Sequence, residues 1–125
     1  MSELISLLNV EDVSRSIAFY ARVLGAEVEN QWEMDGQVRW ARVGFAGGKL
    51  MLNTPEGASS DARRSRAEFA DVVLYVMCDD APARRTELLS AGLEAGALQQ
   101  EEYGNTEFAL RDPDGYSIRF SSPRG

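Results

Sequence analysis

The sequence predicts an α+β fold of two tandem β-α-β-β-β modules whose strands form a concave mixed sheet, and three observations carry that prediction. Val10-Glu11-Asp12 recurs as Cys78-Asp79-Asp80 at an offset of 68, and Gly25 and Gly48 recur as Gly92 and Gly115 at an offset of 67. A near-constant offset across three landmarks marks a duplication, with one residue lost inside the helix. Each copy also opens with an apolar run and an aspartate placed to cap a helix, and each returns to a period of two after the glycine. Finally, Asp112-Pro113-Asp114-Gly115 is a strong turn signal between two apolar-alternating stretches, which fixes a hairpin near the C-terminus.

Taken in order, Leu4 to Val10 is a short apolar run of strand length, and Asp12 caps the helix that follows. Val13, Ile17, Tyr20 and Leu24 form one stripe at spacings of four, three and four, and Gly25 is placed to end the helix in the left-handed conformation. Glu27 to Trp32, Gln37 to Phe45 and Lys49 to Asn53 read as strands separated by Asp35-Gly36 and Gly47-Gly48. Residues 54–68 lack any apolar period, so this stretch, with Arg63, Arg64 and Arg66, reads as a solvated connecting loop. The second copy supplies a strand over Val72 to Cys78, then a helix capped by Asp80 with Pro82 in its first turn, an apolar face of Leu88 and Leu89, and Gly92 at its end. Strands over Ala95 to Gln100, Thr106 to Leu110 and Tyr116 to Ser121 complete it, with Ile118 and Phe120 on one face and Ser117, Arg119 and Ser121 on the other. The expected organisation is a single domain over 1–125, with modules over about 1–53 and 69–125 joined by a linker over about 54–68. Each module can bury one sheet face under its own helix, so the two sheets are expected to pair edge to edge.

Composition narrows the chemistry. A formal net charge of −7 disfavours nucleic acid and anionic lipid as partners and suits a neutral or cationic ligand. No apolar run reaches the length of a membrane span, and Met1-Ser2-Glu3-Leu4 does not resemble the start of a signal peptide, so a cytoplasmic location is expected. Lys49 is the sole lysine, which points to a GC-rich bacterial genome. Cys78, the single cysteine, lies in an apolar run and reads as a buried small hydrophobe. There is no histidine, which removes the Ser-His-Asp and Cys-His arrangements and the ordinary zinc sites together.

Val10-x-Asp12, Ser16-x-x-Phe19-Tyr20, Leu24-Gly25 and Asp112-Pro113-Asp114-Gly115-Tyr116-x-Ile118 resemble the vicinal oxygen chelate superfamily, which includes glyoxalase I, extradiol dioxygenases, fosfomycin-resistance enzymes and bleomycin-binding proteins. The resemblance covers essentially the whole chain and implies the glyoxalase/bleomycin-resistance fold. It also implies where a metal would be held in the family's enzymes: on the first and last strands of each module, pointing into the concave sheet. Those positions here are Ile5, Val73, Arg119 and Leu52, or Met51 after a one-residue slip, and none can bind a divalent cation. No metal and no other cofactor is therefore expected, and no residue is assigned a catalytic role. Glu27, Glu29 and Glu107 read as solvent-facing strand positions.

Strand alternation from those positions predicts the lining of the concave face. Leu7 and Asn9 accompany Ile5, Tyr75 and Met77 accompany Val73, and Ser117 and Ser121 accompany Arg119. Ala41, Val43 and Phe45 are expected under the helix, so Trp40 and Arg42 face the cavity. The candidate ligand-binding residues are Trp32, Trp40, Arg42, Tyr75, Tyr103, Phe108 and Arg119. Two inward arginines would repel a cation unless paired with a carboxylate such as Glu107, and Arg119 could instead form an internal salt bridge. The resemblance implies a metal-independent binding protein of the bleomycin-resistance type that sequesters a small aromatic compound as a homodimer. Two alternatives stand beside it: a glyoxalase-like enzyme with an atypical site, either a lyase or dioxygenase using unforeseen ligands or a metal-free isomerase using Tyr75, Tyr103 or a carboxylate, and a fold remnant that acts through protein partners.

Overall fold

The computed structural model describes residues 1–123, so positions 124 and 125 of the expected domain lie outside the described residues. The chain divides into a first unit ending at Ala62 and a second beginning at Arg63.

In the first unit β1 (Ser6–Asn9) leads to α1 (Val13–Leu24), then to β2 (Glu27–Met34), β3 (Gln37–Phe45) and β4 (Gly48–Asn53). The Asp12 carboxylate accepts the Arg15 N–H at 3.1 Å, which satisfies one of the unpaired donors of the first helical turn. At the other end Gly25 adopts φ +69°, so that the Gly25 N–H reaches the Ala21 carbonyl and the Ala26 N–H the Tyr20 carbonyl. The helix buries Val13, Ser16, Tyr20 and Val23. These pack on β3 and β4, where Ala41, Val43, Leu50 and Leu52 share the helix-facing side with Leu8 of β1. Sheet order is β1-β4-β3-β2, parallel between β1 and β4 and antiparallel elsewhere. A short helix, α2 (Asp61–Arg64), follows within the stretch expected to be loop.

The second unit repeats the plan. A 3-10 turn at Glu68–Ala70 precedes β5 (Val73–Met77), α3 (Ala81–Ser90), β6 (Gln99–Gln100), β7 (Asn105–Arg111) and β8 (Ser117–Pro123), and the sheet order is β5-β8-β7-β6. The Asp80 carboxylate caps α3 by accepting the Ala83 N–H at 3.0 Å, and Gly92 has φ +85° just beyond the helix. Leu88 is buried, but Leu89 is exposed, because the helix presents a narrower apolar stripe than its sequence suggested. Between β7 and β8 the Asp112 carboxylate accepts the N–H groups of Asp114 and Tyr116, both at 2.9 Å. Gly115 closes that turn with φ +87°, and a Cβ there would come within 3.0 Å of the Arg64 backbone. A second expectation is also corrected: the strand placed over Ala95 to Gln100 is reduced to Gln99–Gln100. Glu94-Ala95-Gly96-Ala97 offers no β-branched or aromatic residue to a pleated surface, and the Gly96 N–H makes one isolated bond to the Ala109 carbonyl.

The basic cluster of the linker is not freely solvated. Arg63 and Arg66 both pair with Asp71, at 3.0 and 3.2 Å, Arg63 also stacks over the Tyr116 ring, and Arg64 donates to the Pro113 carbonyl. Among the described residues no helix is long and apolar enough to cross a membrane.

Candidate functional site

β8 decides the second unit's chemistry through its alternation. Ile118 and Phe120 point to the α3 side, where Phe120 stacks on Phe108 with ring centroids 5.1 Å apart. Phe108, expected in the ligand site, is therefore fully buried core: its register partner is Phe120, and paired residues share a face. Ser117, Arg119 and Ser121 point the other way, in register with Val73, Tyr75 and Met77 of β5 and with Arg111, Ala109 and Glu107 of β7.

Arg119 is only 5 % exposed, and its burial demands partners. It has them on every nitrogen. Nε donates to Glu107 at 2.6 Å, Nη1 to both oxygens of Glu68 at 3.1 and 3.2 Å, and Nη2 to Gln99 at 2.6 Å and Glu101 at 3.0 Å. A guanidinium has five N–H groups, so its donors are consumed within the protein. Glu107, expected on a solvent-facing position, is 1 % exposed, because β7 turns it to the same side as Arg119. Its Oε1 accepts from Arg119 and its Oε2 from the Tyr103 and Ser121 hydroxyls. Burial pushes the Glu107 carboxyl up, but the bonds from Tyr103, Arg119 and Ser121 outweigh it, and its pKa lies below the ordinary value. Tyr103 moves in the opposite direction: the carboxylate beside it, then burial and the Tyr75 hydroxyl, push its phenol up.

Above this network lies a cavity of about 310 Å³ lined by Phe69, Tyr75, Gln99, Glu101, Tyr103, Glu107 and Arg119. Three exposed rings form its walls, Phe69, Tyr75 and Tyr103, and Arg119 sits 5.5 Å from the Phe69 ring centre. Of the expected site residues, Tyr75, Tyr103 and Arg119 meet here. Phe69, Gln99, Glu101 and Glu68 join them unforeseen. Alternation carried from Arg119 across the hairpin to Glu107, and on to Gln99 and Glu101, would have found two of these. Glu68 and Phe69 come from a 3-10 turn outside the sheet, which no strand periodicity reaches.

The first unit places its own expected residues on one face. Trp32 stands directly across from Trp40 in the β2–β3 ladder, so Trp32 belongs to a strand and shares Trp40's face. Arg42 donates to Glu29 at 3.0 Å, and Lys49 lies 3.2 Å from the same oxygen. All three side chains are about a third exposed. The Lys49 bond and then, against some desolvation, the Arg42 bond hold the Glu29 carboxyl below its usual range. On β4 the open-face position is Met51, opposite Leu7 and Arg42, whereas Leu52 is buried under α1. Counting from the turn glycine gave Leu52 because only two residues separate β3 from β4, against five between β7 and β8. A larger recess of about 380 Å³ lies near the start of α1, between Asp12, Arg39 and Thr54. It has no aromatic lining, and the smaller aromatic cavity of the second unit is the better ligand site.

The residues present do not fit a metal of the kind the fold's enzymes hold. Ile5, Met51 and Val73 are apolar and Arg119 is a donor only, and among the described residues no group of three or more His, Cys, Asp or Glu side chains is arranged around a common point. Cys78 is partly buried, and burial pushes its thiol up, which weakens it as a nucleophile.

A family model for the glyoxalase/bleomycin resistance protein/dioxygenase superfamily matches residues 5–120. Comparison with curated proteins finds no match by sequence. Among solved structures, TioX from Micromonospora sp. ML1 is similar with a TM-score of 0.75 at 20 % identity, covering 98 % of this chain and 99 % of that one. A bleomycin-binding protein complexed with bleomycin gives 0.71 at 20 % identity, covering 99 % and 100 %. Lactoylglutathione lyase from Agrobacterium tumefaciens gives 0.69 at 18 % identity, covering 98 % and 94 %. At these identities the likeness establishes the fold, which hosts both binding proteins and enzymes.

Proposed function

We propose that this chain, which belongs to the glyoxalase/bleomycin resistance protein/dioxygenase superfamily, binds and sequesters a small aromatic natural product without changing it chemically. One observation carries the reading. The polar groups beneath the aromatic cavity are spent on each other: Arg119 has no N–H left over, and Glu107 accepts three bonds. A general base works best with a pKa near the operating pH, and so does a general acid. Glu107 is shifted down and Tyr103 up, so each is driven away from that range. What the cavity offers a ligand is ring surface.

The bleomycin-binding neighbour supports this reading at the level of fold. The protein acts as a cytoplasmic homodimer in this proposal. Half-exposed Leu7 and Trp32 on one face of the first unit's sheet support a second copy as a partner.

The test is isothermal titration calorimetry with bleomycin and a panel of aromatic natural products in buffer containing a chelator, followed by mass spectrometry of the recovered compound. Saturable binding with an unchanged mass is expected. Conversion of the compound, or binding that requires an added divalent metal, would transfer the assignment to a glyoxalase-like enzyme.

A further inference from the structure

The cavity of the second unit has a formal charge that its single arginine conceals. Arg119 is in direct contact with three carboxylates, Glu68, Glu101 and Glu107. One guanidinium against three carboxylates leaves a net formal charge of −2 in the cluster around Arg119, of which Glu101, Glu107 and Arg119 itself line the cavity. Among the described residues, the other arginines that pair in this unit do so elsewhere: Arg63 and Arg66 with Asp71, Arg64 with Pro113, Arg85 with the Gly96 carbonyl, and Arg111 with the carbonyls of Gly115 and Arg66. Arg84 lies over Phe120, on the α3 side of the sheet.

We infer that this cavity takes the cationic end of its ligand, an ammonium or guanidinium group carried on or beside an aromatic ring. The inference rests on the ligand-binding reading above and gives it a charge. An anion entering here would find no unused N–H on Arg119 and two surplus negative charges. A cation would find Glu101 at the rim, with a side chain about 28 % exposed, and three ring faces. Cations are drawn to aromatic faces by the ring quadrupole, most strongly where water is partly excluded. Glu101 is the discriminating residue. Phe69, Tyr75 and Tyr103 supply contact that a neutral ligand would share.

Three probes of one shape separate charge from ring contact: benzylamine as its ammonium ion, benzyl alcohol and benzoate, titrated by ligand-observed NMR at neutral pH. The expected order of affinity is ammonium above alcohol above benzoate, with about tenfold or more between the first and last. Glu101→Gln keeps a carbonyl acceptor for Arg119 and removes one charge. It should weaken the ammonium about three- to tenfold and leave the alcohol unchanged. Tyr75→Leu should weaken both. The inference is overturned if benzoate binds as well as the ammonium, if Glu101→Gln leaves the ammonium's affinity intact, or if the ammonium does not bind at all. The two readings fail separately. Turnover of a natural product would remove sequestration and leave the charge preference standing, whereas tight binding of unchanged compound without that preference would do the reverse.

Discussion

The first and second units run the same strand order under the same kind of capped helix, but their open sheet faces solve different problems. In the first, Glu29, Arg42 and Lys49 form a triad about a third exposed beside Trp32, Trp40 and Met51. In the second, the charges have been taken inside: Arg119 and Glu107 are 5 % and 1 % exposed, and Glu68, Gln99 and Glu101 close around them. The helix-facing sides stayed alike because each must still fill a core. The open sides diverged because nothing in the module's own packing fixes them. Water screens a surface triad, whereas a buried guanidinium needs every donor matched. That need recruits residues from outside the sheet, and Glu68 and Phe69 enter the site through it.

The largest expected difference follows from removing the central cation of each face. Arg119→Met should cost about 3–5 kcal/mol in urea unfolding, because Glu107 is left buried without the cation that pairs with it. Arg42→Met should cost below about 1 kcal/mol. Equal losses would mean that the two faces do not differ in the way described.

Acid sharpens the contrast. The Glu107 carboxyl in the folded protein lies below its unfolded value of about 4.5. Its contribution to stability is therefore fully present above that value and is lost as pH falls through the folded pKa. Glu107→Gln should flatten stability against pH on the acid side of about 4.5. Glu29→Gln should change the same limb less, by an amount that shrinks as salt is added. An acid limb unaltered by Glu107→Gln would break this account.

The smallest effects test what the units share. Asp12 and Asp80 cap α1 and α3 with near-identical geometry. Asp12→Ala and Asp80→Ala should each lower stability by about 1 kcal/mol, measured as matching shifts of Tm. A large imbalance between them would show that the common scaffold has diverged too.

Much of the scaffold was legible because local rules set it. Asp12, Gly25, Asp80 and the Asp112-Pro113-Asp114-Gly115 turn each satisfy backbone groups within a few residues, so their sequence carries their geometry. Alternation placed Arg119, Tyr75 and Trp40 on the open faces. Counting from the turn glycine misplaced Leu52, where hairpin lengths differ and a one-residue change of phase reverses the facing, and the slip to Met51 restores it. Phe108 went astray for a related reason: aromatic character suggested a ligand wall, while its register with Phe120 made it core. The Arg119 network was legible only in part. Its existence follows from an arginine pointing inward, but the identity of its partners depends on which distant segments close over it.

β2 has a further consequence. It is an outermost strand eight residues long, exposed on both faces, and such an edge can template the addition of strands from other molecules. Its pairing with β3 slips twice, between Val28 and Asn30 and between Trp32 and Glu33. These irregularities bend and twist the strand, and Glu27, Glu29 and Glu33 place like charges along it. The edge that carries Trp32 is thereby made a poor seed for fibrils.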